Sequence, residues 1–138
     1  MSRFVLDCSI AAAWCFTRQG DRYTRSVLAG LADDEALVPA LWPLEVANVL
    51  LVAVRRRQLS RAEALRFFEL IAALPVEVDR APTIRETGEV FALGHAHGLS
   101  AYDAAYLALA ARERLPLATR DGSLRAAARA AGVAIFSR

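Results

Sequence analysis

The sequence contains no lysine, so all 17 of its basic residues other than histidine are arginine. This absence excludes a phosphate-binding loop with its lysine, a Schiff-base enzyme and a lysine-dependent phosphate-receiver site. The glycine-rich signature of a dinucleotide-binding fold is also absent, because no GxGxxG follows a predicted strand. The chemistry of the chain must therefore use other side chains.

Cysteine is scarce, and long apolar runs are missing. Cys8 and Cys15 do not form a CxxC pair, so we expect two buried thiols and no metal or redox site there. His95 and His97 are two residues apart and cannot bind one ion from the same face of a helix. No apolar run approaches the ~20 residues of a membrane span, and the N-terminus does not resemble a cleavable signal. A cytoplasmic protein is expected.

The pattern of apolar residues predicts an α/β fold. The 138 residues, 56% of them hydrophobic, are enough for a single domain, 1–138, with its own core. Periodicity and helix breakers predict strands and helices in the order βααβααβααβαβ, with one helix running from Pro82 to a stop at Gly98. Strands separated by helices favour a mainly parallel sheet of about five strands with helices on both faces. The predicted strands are 3–7, 36–39, 75–78, 117–119 and 133–136.

Four acids lie in apolar surroundings, unlike most of the 15 acids in the chain. Asp7 ends the first predicted strand and Asp121 follows the fourth. Glu45 and Asp103 fall in the first turns of predicted helices. In a parallel sheet, the carboxyl ends of strands and the amino ends of the following helices share one edge, where ligands bind. The sequence therefore predicts that the four carboxylates face the same rim.

Each of these acids also has a structural explanation. Asp121 could cap the helix that follows it, Asp103 has the spacing of a capping box, and Glu45 lies just after a proline at a helix start. Asp7 is harder to explain in this way, because Ser9 is the better cap for the next helix. Taken one at a time, capping is the favoured explanation for three of the four acids, and only the shared edge favours a common site.

Carboxylates gathered in one place need a counter-charge. Two unit charges about 4 Å apart repel by roughly 4 kcal/mol at an effective dielectric constant of about 20. Oxygen ligands favour Mg²⁺ or Mn²⁺, and one or two such ions held by the four acids would suit phosphodiester hydrolysis. Ser9, Asn48 and Thr119 lie close to these acids in sequence and could hydrogen-bond a water, a phosphate or an acid, although capping and solvation explain them equally well.

Arginines form the candidate substrate surface. Two bound divalent ions would raise the nominal charge from +2 to about +6 (2 + 4) and favour a polyanion such as RNA. A solvated face explains the same arginines at least as well. The candidates are Arg18, Arg55, Arg56, Arg57, Arg61, Arg66 and Arg120.

The sequence resembles a known family in four segments that follow the family's order. The segments are VLDCS at 5–9, EVANVL at 45–50, YDAAYLALA at 102–110 and TRD at 119–121. Each segment alone is a weak signal, but the ordered set spans nearly the whole chain and is specific. The sequence is therefore similar to PIN-domain proteins, and among them to the VapC-type toxins of bacterial toxin–antitoxin pairs.

The resemblance implies a Mg²⁺- or Mn²⁺-dependent endoribonuclease with a PIN-like fold. Its acidic site would be built from Asp7, Glu45, Asp103 and Asp121, with water activated by the bound metal. It also implies a homodimer and a VapB-like antitoxin that blocks the site, often with a basic side chain. Two alternatives stay open: a catalytically inactive PIN-like module that binds RNA or protein, and a nuclease that acts on DNA or on structured flaps. The residues do not indicate which RNA is cut.

Overall fold

The structure is a computed structural model that describes residues 2–16 and 20–137. Within these residues four strands and seven helices alternate in the order βααβααβααβα. The strands are β1 (Arg3–Leu6), β2 (Glu35–Val38), β3 (Val76–Val78) and β4 (Leu117–Ala118). The helices are α1 (Cys8–Cys15), α2 (Arg22–Gly30), α3 (Trp42–Arg55), α4 (Arg61–Ala72), α5 (Thr87–His97), α6 (Ala101–Glu113) and α7 (Gly122–Ala130). None of the helices described has the length and apolar character that a membrane span requires.

The strands form one parallel sheet in the order β3-β2-β1-β4. Strand β1 is central, and Phe4, Val5 and Leu6 are fully buried, as expected for a parallel strand covered on both faces. The chain winds outward from β1 through β2 to β3 and then returns to the other side of β1 to form β4. The winding direction therefore reverses between β1 and β4. In open α/β sheets the carboxyl ends of two such strands enclose the crevice where ligands bind.

The helices form two layers, one on each face of the sheet. Helix α1 packs against α2 and α3, and α3 packs against α4, whereas α6 packs against α5 and α7. Because crossovers between parallel strands are right-handed, the outward winding places α1 to α4 on one face, and the return to β4 places α5 and α6 on the other. The predicted α/β architecture, a parallel sheet between helices, is confirmed.

The prediction of a fifth strand was wrong, because the sheet has four strands. Ile135 lies beside β4 but forms only an isolated parallel bridge with Leu117. Strand β4 is two residues long, so its outer edge offers too little backbone for a longer ladder. Two backbone hydrogen bonds of 2.9 Å, from the Leu117 N–H to the Ala134 carbonyl and from the Phe136 N–H to the Leu117 carbonyl, hold the C-terminal segment. The Phe136 ring also stacks on Phe4 with 4.0 Å between the ring centroids.

Helix α5 begins at Thr87, five residues after the predicted start at Pro82. The intervening segment forms a turn in which the Thr83 N–H donates to Glu86 Oε1 at 3.0 Å and the Glu86 N–H donates to Thr83 Oγ1 at 3.3 Å. This reciprocal pair is the arrangement of a capping box, but here it closes a turn that ends just before the helix. The predicted stop is correct, because Gly98 follows α5 in the left-handed conformation with φ of 66°.

Candidate active site

Asp7 lies directly after the central strand β1, at the crevice where the winding reverses. Its side chain is 5% exposed, and its Oδ2 accepts hydrogen bonds from Ser9 Oγ and Thr119 Oγ1, each at 2.7 Å. Asp7 also occupies the position before α1, but its carboxylate makes no capping hydrogen bond. The prediction that Ser9 caps this helix was wrong, because Ser9 lies inside α1 and donates to the carboxylate. Asp7 is thus a buried acid held by two hydroxyl groups.

The turn after β4 is tied to the end of β1 through the same two hydroxyls. Thr119 is fully buried, and its Oγ1 also accepts the Asp121 N–H at 3.1 Å. Ser9 Oγ accepts the Arg120 N–H at 3.3 Å and lies 3.4 Å from Thr119 Oγ1. Ser9 and Thr119 were predicted to hydrogen-bond a water, a phosphate or an acid, and in the structure both bond to the acid Asp7. This network fixes Asp7 and Asp121 at the ends of neighbouring strands.

The other three acids lie at helix starts, as the sequence predicts, but their side chains are engaged differently. Asp121 is exposed and caps α7, since its Oδ1 accepts the Leu124 N–H at 2.8 Å. The half-buried Asp103 follows the cap of α6, in which Ser100 Oγ accepts the Asp103 N–H at 3.1 Å. Capping therefore accounts for the Asp121 side chain and for the Asp103 backbone.

Glu45 lies in the first turn of α3 and is half-buried. Its Oε1 accepts a short hydrogen bond from the hydroxyl of Tyr106, a residue of α6. Glu45 therefore makes a contact across the sheet edge, between helices from the two layers. This contact is not part of a helix cap, so neither capping nor solvation explains the side chain.

The four carboxylates form one electrostatic cluster. Burial raises the pKa of Asp7, the hydroxyls of Thr119 and Ser9 oppose the rise, and the charge of Asp121 adds to it. Burial also raises the pKa of Glu45, with a further rise from the charges of Asp7 and Asp103 and opposition from the Tyr106 hydroxyl. Burial raises the pKa of Asp103 as well, and the charges of Asp7 and Asp121 increase the shift. Asp7 thus interacts unfavourably with all three of the other acids.

The sequence matches the PIN domain over residues 4–130, which is nearly the whole chain. The chain belongs to the PIN-domain family. The resemblance seen in the four ordered segments is therefore confirmed at the level of the family. None of the curated protein sequences matches this PIN domain significantly.

Solved structures with a similar fold include three from different organisms. PAE2754 from Pyrobaculum aerophilum has a TM-score of 0.71 and 22% identity over 91% of this chain and 84% of its own. VapBC2 from Rickettsia felis, bound to a promoter DNA fragment, has a TM-score of 0.68 and 13% identity over 99% of this chain and 98% of its own. VapC20 from Mycobacterium tuberculosis, described as a sarcin-ricin loop cleaving toxin, has a TM-score of 0.67 and 16% identity over 98% of this chain and 99% of its own. At these identities the likeness shows the fold.

The donor set of this PIN domain fits a hard divalent cation. All four acids offer carboxylate oxygens, and burial together with mutual repulsion favours a nearby positive charge. Among residues 2–16 and 20–137, no group of three or more histidine, cysteine or acidic side chains is arranged to hold an ion as it stands. Asp7 is the acid of this set whose carboxylate is held in place by two hydroxyl groups, those of Ser9 and Thr119.

Two residues of the site network were missed by the sequence reasoning. The first is Tyr106, which is fully buried and donates to Glu45. Its signal was a tyrosine in an otherwise apolar helix stretch, because a buried phenol hydroxyl needs an acceptor. The second is Arg125, whose Nε donates to the Thr119 carbonyl at 2.7 Å and whose guanidinium lies 4.6 Å from the ring centroid of Tyr23. Nothing in the sequence distinguished Arg125 from Arg129, the other arginine of its helix.

The remaining predicted residues lie farther from Asp7 or at the rim. Asn48 is exposed, one helical turn beyond Glu45, and takes part in none of the hydrogen bonds that link the described site residues. Residues 55–57 are exposed at the far end of α3, at least ten residues beyond Glu45, or about 15 Å along the helix axis. Arg120 is exposed at the rim, next to Thr119. Arg18 falls outside the described residues.

Proposed function

We propose that this PIN domain is a Mg²⁺- or Mn²⁺-dependent endoribonuclease and the toxin of a VapBC-type toxin–antitoxin pair. The observation that supports it is the position of Asp7, a buried carboxylate that repels three further acids from α3, α6 and the start of α7. This cluster faces the crevice where α/β sheets bind ligands. Its repulsion is relieved by divalent cations, which polarise phosphodiesters and activate water when bound.

Each site residue has a role that follows from its contacts. Asp7 is the central ligand, because two hydroxyl bonds to Oδ2 prevent it from turning away. Glu45 and Asp103 approach it from the two helix layers. Asp121 adds a carboxylate whose Oδ1 is engaged in the cap of α7, so Oδ2 is the oxygen suited to an ion. Together they would hold one or two ions against a phosphate of the substrate.

RNA is the proposed substrate, and the cytoplasm is the proposed place of action. VapC20, which shares the fold, is described as cleaving the sarcin-ricin loop. The chain carries a formal charge of +2, and Arg120 at the rim can contact a phosphate beside the one that is cut. Residues 55–57 are too far along α3 to touch the same phosphate, so they would contact the strand several nucleotides away.

The activity test compares RNA with single-stranded and double-stranded DNA, using purified protein. We expect RNA cleavage with Mn²⁺ or Mg²⁺, none with EDTA, and none for Asp7→Asn. Asp34→Asn is the matched control, because Asp34 is also buried but precedes β2 at the opposite edge of the sheet. Faster cleavage of DNA would overturn the assignment of the substrate. RNA binding without cleavage in any metal would instead favour an inactive binding module.

The proposed antitoxin binds a groove between the end of α1 and the α3–α4 connection. Cys15, Leu59 and Phe67 are among the residues that line a cavity of about 170 Å³, with Arg66 at its side. An adjoining cavity of about 450 Å³ shares Leu59 and is lined by further arginines. Glu63 also lines both cavities, so apolar walls with arginines and one acid at the margin suit an amphipathic helix that carries charges of both signs.

The partner test uses a small protein encoded immediately upstream of the gene, if one is present. We expect it to co-purify with this PIN domain and to inhibit RNA cleavage. Arg61→Glu combined with Arg66→Glu should weaken the complex, whereas Arg3→Glu, at the amino end of the central strand β1, should not. An equally tight complex with the double variant would exclude this groove as the binding site.

Exposed apolar side chains on α3 support the proposal that the protein is a homodimer. Leu44 and Leu51 are 76% and 47% exposed and lie seven residues apart on one face of α3. An exposed apolar stripe of this kind would suit a contact between two copies of the chain. Light scattering is expected to give twice the monomer mass of 15.0 kDa, and Leu51→Glu should lower it to that of the monomer. A monomeric protein at tens of micromolar would refute the dimer.

A further inference from the structure

Tyr106 connects the core of the protein to the acidic cluster. It lies on α6, one helical turn after Asp103, and its side chain is fully buried. Its hydroxyl donates a hydrogen bond to Glu45 Oε1, on a helix of the opposite layer and 61 residues away in sequence. Because the ring is enclosed by close-packed neighbours, the hydroxyl cannot move far from this position.

The contact gives the two oxygens of the Glu45 carboxylate different surroundings. Oε1 accepts from Tyr106, and among residues 2–16 and 20–137 no other hydrogen bond to the Glu45 carboxylate is found. Oε2 is therefore the oxygen available to an ion. Glu45 also experiences the charges of Asp7 and Asp103, which would push a free glutamate side chain outward into solvent. The bond from a buried donor opposes that movement.

We propose that Tyr106 is a positioning residue, which holds Glu45 at the cluster so that a single oxygen, Oε2, faces the divalent cation. The inference rests on the proposed function, because it requires that the cluster bind a metal. Groups that hold a metal-binding side chain from behind typically contribute about 10- to 100-fold to metal affinity. Tyr106 acts through Glu45 and does not itself touch the substrate or the ion.

The test measures Mn²⁺ binding to the free protein by calorimetry, apart from any activity. Tyr106→Phe keeps the ring and removes only the hydroxyl, and we expect Mn²⁺ affinity to fall about 10- to 100-fold. Tyr102→Phe is the matched control on the same helix, because its side chain is 67% exposed, and its affinity should equal that of the wild type. Glu45→Gln should weaken binding, and adding Tyr106→Phe to it should cause little further loss.

The outcomes separate this inference from the proposed function. Unchanged or tighter Mn²⁺ binding by Tyr106→Phe would overturn it, as would losses that add fully in the double variant. If the wild type binds no Mn²⁺, both the inference and the proposed function fail. If Tyr106→Phe weakens binding but the wild type cuts no RNA, the positioning role stands and the nuclease assignment fails.

A measurement on the wild type covers the case in which Tyr106→Phe does not fold. The hydroxyl proton of a buried tyrosine that is hydrogen-bonded to a carboxylate exchanges slowly and can be observed by NMR. We expect the Tyr106 signal to persist and to shift when Mg²⁺ is added. Loss of the signal on Mg²⁺ addition would mean that Glu45 leaves Tyr106 to bind the ion, which would overturn the positioning role.

Discussion

Replacing Asp7 with asparagine should stabilise the metal-free protein and at the same time abolish cleavage. The wild-type carboxylate is 5% exposed and is repelled by three other acids, so its charge opposes folding when no cation is present. Asparagine has nearly the same shape and keeps an oxygen that can accept from Ser9 and Thr119. The substitution therefore removes the charge while retaining most of the local structure.

The size of the effect follows from three opposing contributions. Asp7 interacts with three other acids, and each pair would repel by roughly 2 kcal/mol if its charges were about 8 Å apart at an effective dielectric constant of about 20. Against this gain, the bonds from Ser9 and Thr119 each lose about 1 kcal/mol when the acceptor becomes neutral, and an unpaired amide N–H costs about 1–3 kcal/mol. We expect a net gain of about 1–3 kcal/mol, which for 138 residues is about 3–10 °C in melting temperature.

The pH dependence supplies the decisive measurement. Burial raises the folded-state pKa of Asp7 above its usual 3.8, so the protonated folded state is favoured. The contribution of Asp7 to stability should therefore be fully present below pH 3.8 and be lost as pH rises from there through the raised pKa, so the wild type should lose more stability than the variant over this range. Urea unfolding in EDTA at pH 5 and pH 8 measures both. A variant that is less stable than the wild type at pH 8 would refute the reasoning.

Asp34→Asn is the control for this experiment. Asp34 is also buried, but its Oδ1 accepts both the N–H and the hydroxyl of Ser2, at 3.2 and 2.7 Å. Asp34 lies outside the acidic cluster, so its replacement should relieve no repulsion there and should weaken those two bonds. We expect Asp34→Asn to be less stable than the wild type. A gain for both variants would mean that the effect is not specific to the acidic cluster.

Three further predictions concern the metal, the cap and the arginines. Mg²⁺ should raise the melting temperature more at pH 8 than at pH 5, because the raised pKa values leave fewer carboxylates ionised at pH 5, and it should have little effect on Asp7→Asn. Asp121→Asn should change the free energy of unfolding by less than about 0.5 kcal/mol, since asparagine caps helices as well as aspartate, yet it should reduce RNA cleavage in a gel assay. Reversing the charges at residues 55–57 should weaken RNA binding and flatten its salt dependence, and an unchanged salt slope would show that these arginines do not contact RNA.

Much of the site could be predicted because its signals are local. A carboxylate that ends an apolar strand, as Asp7 does, is visible in a few residues, and so is the cap that Asp121 forms. The parallel topology then places such residues at one edge, because every strand of the sheet runs in the same direction. The number of strands was less predictable. Strand β4 has only two residues, so the segment around Ile135 can form only a single bridge with it and not a fifth strand.

The contacts that could not be predicted join distant segments through particular rotamers. Tyr106 reaches Glu45 across 61 residues, and Arg125 reaches the Thr119 carbonyl from one face of α7. Helical periodicity indicates that a tyrosine is buried, but it does not identify the acceptor of its hydroxyl. That depends on how closely α3 and α6 approach at the sheet edge, which is set by the packing of the whole core.

The bond from Thr119 to Asp7 spans 112 residues and has a consequence for synthesis of the chain. Strand β4 is the last of the four strands to be made, although it pairs directly with the first. While the polypeptide is growing on the ribosome, Asp7 lacks one of its two hydroxyl partners, and Asp121 has not been made. A nascent chain therefore has an incomplete acidic site until its last strand has left the ribosome.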